Sequence, residues 1–124
     1  MLDHITLPVA DFDRSRAFYI KALKPLGITV IMEAPPGVGV AAGLGVEGKP
    51  FFWIGEGRPS AGTHVAFTAE SRAQVQAFYD AAMAAGGRDN GPPGLRPHYH
   101  PGYYAAFVLD PDGANIEAVC HRPE

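Results

Sequence analysis

His4-Ile5-Thr6-Leu7-Pro8-Val9 is the first alternating stretch of this chain, and sixty residues later His64-Val65-Ala66-Phe67-Thr68 repeats it. The same offset of 60 carries Ala17 onto Ala77, Phe18-Tyr19 onto Phe78-Tyr79, Ala22 onto Ala82, Leu23 onto Met83 and Gly27 onto Gly87. An internal repeat constrains architecture more firmly than local propensity does. In each copy, alternation puts Ile5, Leu7 and Val9, or Val65 and Phe67, on one face of a strand and the histidine on the other. A helix follows: Asp11 or Asp13 can cap the first, and Ser71 with Gln74 forms a capping-box signature for the second. Gly27 and Gly86-Gly87 end them.

Beyond each helix the pattern changes to short apolar runs separated by turns. In the first copy these predict strands near Ile28 to Glu33, Val38 to Leu44 and Phe51 to Ile54. In the second, Gly91-Pro92-Pro93-Gly94 reads as a loop, followed by strands near Tyr103 to Leu109 and Asn115 to Cys120. Asp110-Pro111-Asp112-Gly113 supplies the turn between those last two. The prediction is an α+β fold of two βαβββ units, about 1–57 and 62–121, in a single domain spanning 1–124, with a curved mixed sheet around a shared cavity.

Composition excludes several classes. A formal net charge of -3 and interspersed charges leave no basic field for nucleic acid. No apolar run approaches the ~20 residues that cross a bilayer, and the first residues lack a basic region followed by an apolar one. The lone Cys120 fits a reducing compartment, so the expectation is a cytoplasmic protein without a membrane partner.

Strand alternation also selects candidate functional residues. With Ile5, Leu7, Val65 and Phe67 under the helices, His4 and His64 face the cavity, and Ile116 and Ala118 on the helix side leave Glu117 facing inward. Two histidines and a carboxylate with open positions form a site for a divalent metal ion: Fe, Mn, Ni or Zn. The segment Arg96-Pro97-His98-Tyr99-His100-Pro101-Gly102-Tyr103-Tyr104 is a second source of chemistry. His98 and His100 suit acid-base work near neutral pH, and Tyr99, Tyr103 or Tyr104 can orient an oxyanion; His100 and Tyr104 are the favoured catalytic pair. Arg58 and Arg96 can clamp an anionic substrate group. Phe52, or Phe51 with Trp53, lines the cavity; Phe52, Arg96 and His98 are taken as the substrate-binding set. Each of these residues also has a plain structural use, as sheet core or solvated loop.

His4-Ile5-Thr6-Leu7, then Asp11 and Ser15 before Phe18-Tyr19, and Asp110-Pro111-Asp112-Gly113 leading to Ile116-Glu117, resemble the vicinal-oxygen-chelate superfamily over nearly the whole chain. That group includes glyoxalase I, extradiol dioxygenases, fosfomycin-resistance transferases and bleomycin-binding proteins. The resemblance implies metal ligands at His4, His64 and Glu117, a small-molecule substrate and a homodimer, sometimes with units exchanged between chains. Glyoxalase I takes a fourth ligand from the last strand of its first unit, where this chain has Phe52 or a neighbour and no ligand. The expected activity is metal-dependent chelation of substrate oxygens with stabilisation of an enolate or oxyanion, of lyase, isomerase or dioxygenase type. The alternative is a bleomycin-resistance-like binding protein without catalytic metal.

Overall fold

The computed structural model describes residues 1–34 and 39–123. The first unit contains β1 (Ile5–Val9), α1 (Phe12–Leu23), a short 3-10 turn (Lys24–Leu26), β2 (Thr29–Glu33), β3 (Ala41–Val46) and β4 (Lys49–Glu56). The second contains β5 (His64–Thr68), α2 (Arg72–Ala84), β6 (Arg88–Leu95), β7 (Tyr104–Leu109) and β8 (Asn115–Cys120). The strand predicted from Val38 begins at Ala41, and Val38 itself lies outside the described residues.

The helix caps follow from their side chains. Asp11 caps α1 by accepting from the Arg14 N–H at 3.1 Å. Ser71 caps α2 by accepting from Gln74 N–H at 3.1 Å, while Gln74 Oε1 reaches back to Glu70 N–H at 2.7 Å. Gly27, at φ 79, closes the first helical segment where a side chain would be strained.

Each unit forms its own four-stranded mixed sheet, ordered β1-β4-β3-β2 and β5-β8-β7-β6. The curved sheet of the prediction is thus two sheets, because β1 and β5 stand at the edges and each pairs only within its own unit, with β4 or β8, in parallel. The units join instead through their helix-covered faces. One apolar cluster draws Leu7, Phe18, Tyr19, Phe52 and Ile54 from the first unit and Phe67, Phe78, Val108 and Ile116 from the second. Within it Phe18, Tyr19, Phe52 and Phe67 make successive edge-to-face contacts at 5.0, 5.1 and 5.1 Å, each such pair contributing about 0.5–1.5 kcal/mol beyond burial.

A polar latch supplements this core. Asp110 is buried, and its Oδ1 accepts from the N–H groups of Asp112 and Ala114 at 2.9 and 2.8 Å, which closes the predicted turn. Its Oδ2 accepts from the buried Tyr19 hydroxyl of α1, tying that turn to the other unit. Burial first, then the Asp110 charge, pushes the Tyr19 hydroxyl well above its ordinary range, so it stays a donor.

The Gly91-Pro92-Pro93-Gly94 stretch is a strand rather than the predicted loop. It belongs to β6, an edge strand with register breaks between Asp89 and Gly91 and between Gly91 and Gly94. Both prolines fall in the gap between the paired positions Gly91↔Phe107 and Gly94↔Ala105, so no ladder N–H is missing. Among the described residues no helix is long and apolar enough to cross a membrane.

Candidate functional site

The face that the helices leave open on the second sheet holds the most concentrated chemistry. In β8, Ile116, Ala118 and Cys120 join the core, which turns Glu117 to the opposite face. That face is partly apolar: Ala105, Phe107 and Val119 pack together with Tyr103 beside them. Glu117 is only 1% exposed, so its carboxylate needs compensation. His64, at the start of β5, places Nε2 2.8 Å from Glu117 Oε1, and the Tyr103 hydroxyl donates to Oε2. Burial, followed by this hydrogen bond and the Glu117 charge, pushes the Tyr103 hydroxyl up to about 12.

A rim of rings surrounds the triad. The segment from Arg96 to Tyr103 closes on itself: Arg96 N–H donates to Tyr103 O at 2.7 Å, Tyr99 N–H to Arg96 O at 2.9 Å and Tyr103 N–H to His100 O at 3.0 Å. Ring centroids run from His98 to Tyr99 at 4.2 Å, Tyr99 to Tyr103 at 5.1 Å and Tyr103 to His121 at 5.1 Å. Arg96 and His98 border a recess of about 270 Å³ with Asn90, Tyr99, Phe107 and Asn115. Phe107, which lines that recess, also stands beside the His64 ring, 6.2 Å away between centroids.

Not every predicted residue arrives here. His100 is exposed, its Nδ1 accepts from Gly102 N–H at 3.4 Å, and its ring faces His121 at 6.0 Å rather than Glu117. Tyr104 pairs with Cys120 in the ladder and packs toward the core, with the Arg72 guanidinium 5.0 Å over its ring. Its neighbour Tyr103 takes the position beside the carboxylate. His121 carries no motif that marks it in the sequence; it follows β8 directly, and only folding brings it against Tyr103.

On the first unit the corresponding face differs. The register pairs Thr6 with Trp53 and Ala66 with Glu117, so Trp53 is the counterpart of Glu117. Phe52 is fully buried and packs against Tyr19 and Phe67 on the helix side. The Trp53 indole lies across Gly43, where a Cβ would sit 2.8 Å from its ring atoms. His4 is exposed and hydrogen-bonds through Nδ1 to Asp3 Oδ1 at 2.6 Å. Asp3 also meets Lys49 Nζ at 2.6 Å, and Lys49 first, then His4, holds its carboxyl at about 2. A carboxylate on one ring nitrogen is the usual second partner of a histidine ligand.

His4 borders a separate recess of about 290 Å³ between the units, with Phe51, Val65, Ala66 and the predicted Phe52 in its lining. Among the described residues no three His, Cys, Asp or Glu gather closely enough to hold a metal ion. The chain joins His64 to Glu117 and leaves His4 apart. Imidazole and carboxylate are suitable donors for a divalent ion, and one chain brings two of the three together.

The chain belongs to the Glyoxalase/Bleomycin resistance protein/Dioxygenase superfamily, whose profile matches residues 1–118. It is similar to a glyoxalase/bleomycin resistance protein from Albidiferax ferrireducens, at 30% identity over 99% of both chains and a TM-score of 0.80. A glyoxalase I mutant from Zea mays shares 26% identity over 95% of this chain and 46% of its own, with a TM-score of 0.69. A glyoxalase-related enzyme from Fulvimarina pelagi has the same fold at 21% identity, over 97% of this chain and 87% of its own, with a TM-score of 0.70. No curated protein matches the chain.

Proposed function

We propose that this protein is a divalent-metal-dependent enzyme acting on a small molecule, with Fe, Mn, Ni or Zn held by His64 and Glu117 of one copy and His4 of a second copy in a homodimer. The observation that carries this reading is the buried Glu117 carboxylate on an open sheet face, with His64 on one oxygen and Tyr103 on the other. Taking a carboxylate out of water carries a desolvation cost, which makes its burial between a histidine and a phenol a poor device for stability alone. Membership of the superfamily supports the reading at the level of the family.

Bound between these residues, the ion would chelate two substrate oxygens and supply Lewis-acid stabilisation of an enolate or oxyanion, as lyase, isomerase or dioxygenase chemistry needs. Glu117 contributes charge and one fixed oxygen. Tyr103 holds the second oxygen in place, a role in which a phenol that stays protonated is well suited. His98 and Arg96 border the substrate's recess, and Phe107 lines it with its ring beside His64.

Elemental analysis of protein purified without a tag or chelator tests the ion. Near-stoichiometric metal that disappears in Glu117→Ala and in His4→Ala is the expected result; no metal, and no uptake on reconstitution, overturns it. Mixing those two variants tests the sharing of residues. A site built from two copies regains metal in the mixture, because one of the two sites then has every ligand, whereas a site within one chain regains none.

The second reading is a small-molecule binding protein without catalytic metal. It is favoured by the direct contact of His64 Nε2 with Glu117 Oε1, which satisfies both groups without an ion. Ligand binding that persists unchanged in metal-free His64→Ala supports it.

A further inference from the structure

The Gly91-Pro92-Pro93-Gly94 stretch has a tertiary use that its composition conceals. A Cβ on Gly91 would lie 2.9 Å from Phe107 Cδ1 and 3.1 Å from Arg96 Nη2, and one on Gly94 would lie 3.0 Å from Arg96 Nη1. The two absent side chains leave a slot, and the Arg96 guanidinium occupies it. There Nη2 donates to Pro92 O at 2.7 Å, and Cζ sits 5.4 Å over the Phe107 ring. The Arg96 backbone is tied at both ends, its N–H to Tyr103 O at 2.7 Å and its carbonyl to Tyr99 N–H at 2.9 Å. An arginine seated this way has given up most of its side-chain freedom before a ligand arrives, so less is lost on binding.

Among the described residues no carboxylate forms an ion pair with Arg96, and the nearby Glu117 is engaged by His64 and Tyr103. Arg96 is half-buried and opens on the recess of about 270 Å³ whose other walls include His98, Tyr99, Asn90 and Asn115. The two amides share one hydrogen bond, Asn90 Nδ2 to Asn115 Oδ1 at 3.1 Å, which leaves Asn90 Oδ1 and Asn115 Nδ2 for a guest. These walls are flat groups and neutral amides with one fixed cation, a set that matches a planar anion.

We infer that Arg96, in its Gly91–Gly94 seat, is a carboxylate-recognition subsite, and that the ligand is a small planar carboxylate whose far end extends across Phe107 toward His64 and Glu117. The far end rests on the proposed function; the carboxylate subsite does not. Benzoate is therefore the probe, since it offers a planar carboxylate without a second pair of chelating oxygens. Its binding to the isotope-labelled full chain is followed through the Arg96 Nε–H signal, beside benzamide and phenylphosphonate, in wild type before and after EDTA treatment, in Arg96→Gln and in Gly94→Ala. Melting curves establish that each variant is folded.

Saturable binding of benzoate but not benzamide is expected, weakened about tenfold or more in Arg96→Gln. Gly94→Ala keeps the charge and displaces the guanidinium, so it weakens benzoate in the same sense. Wild type stripped of metal with EDTA keeps its benzoate affinity, which separates this inference from the metal reading; loss of benzoate binding on stripping overturns the subsite as an independent one. Absence of benzoate binding, equal binding of benzamide, or unchanged affinity in folded Arg96→Gln overturns the subsite. Tighter binding of phenylphosphonate than of benzoate overturns the carboxylate assignment.

Discussion

The two units share a backbone plan and diverge on the face turned away from the helices. At equivalent register positions the first unit places Trp53 opposite Gly43, and the second places Glu117 opposite Phe107. In the first, a large indole fills the space that a glycine vacates. In the second, a phenylalanine supplies the floor beside a buried carboxylate. One strand position thus holds a packed indole in one copy and a buried carboxylate in the other. A repeat can keep its core while the other half of each strand's residues changes, because alternate side chains belong to different environments.

The comparison breaks most visibly at the carboxylate. Glu117→Ala is expected to lower divalent-metal affinity by more than the roughly 10- to 100-fold typical of an outer-shell change, whereas Trp53→Ala leaves affinity near wild type; calorimetric titration with Zn²⁺ checks both. Equal losses in the two would mean that the units are not functionally distinct.

Packing gives the next effect. Gly43→Ala sets a methyl group against the Trp53 ring and the Pro50 Cβ at 2.8 and 2.9 Å, and is expected to cost about 1–3 kcal/mol in urea unfolding with a change in Trp53 fluorescence. An unchanged midpoint would show that the indole moves freely, removing the packing role assigned to it.

Tyr103→Phe sharpens the contrast within the second unit. It leaves Glu117 Oε2 without its donor and is expected to cost about 1–3 kcal/mol at neutral pH. Because the folded value is raised from 10.0 to about 12, the wild-type contribution is complete below pH 10 and is lost as pH rises through about 12. The stability gap between wild type and variant therefore narrows over that window. Parallel unfolding curves there would sink the hydrogen-bond assignment.

The smallest effect belongs to the first unit's exposed ion pairs. Asp3 is held at about 2, chiefly by Lys49, so its contribution is present above 3.8 and lost as pH falls through about 2. Full exposure and salt screening keep that contribution small. Acid unfolding of Asp3→Asn and wild type should coincide at high salt, and a persistent gap would reveal a tighter role for the Asp3–His4 contact.

Much of this architecture was legible in particular residues. The recurrence of His4 at His64 and of Phe18-Tyr19 at Phe78-Tyr79 announced two units, and the alternation Ile116-Glu117-Ala118 put the acid opposite the core. Reading failed where one residue of register decided the face. Tyr103 and Tyr104 are adjacent and chemically identical, yet one meets Glu117 and the other meets the helix side. Phe52 and Trp53 present the same ambiguity at the matching strand of the first unit. The Gly91–Gly94 stretch misled for another reason: its prolines suit a loop, but an edge strand with interrupted pairing tolerates them equally.

By itself, then, the amino-acid order determined the duplicated βαβββ plan and which residues enter the core, because periodicity and burial are written locally in the chain. Tertiary structure decided that His64 reaches Glu117 while His4 does not, that Tyr103 holds the carboxylate, and that two glycines make a seat for Arg96. Those are contacts between residues far apart in sequence or separated by one step of register, and no local pattern specifies them until the strands have paired.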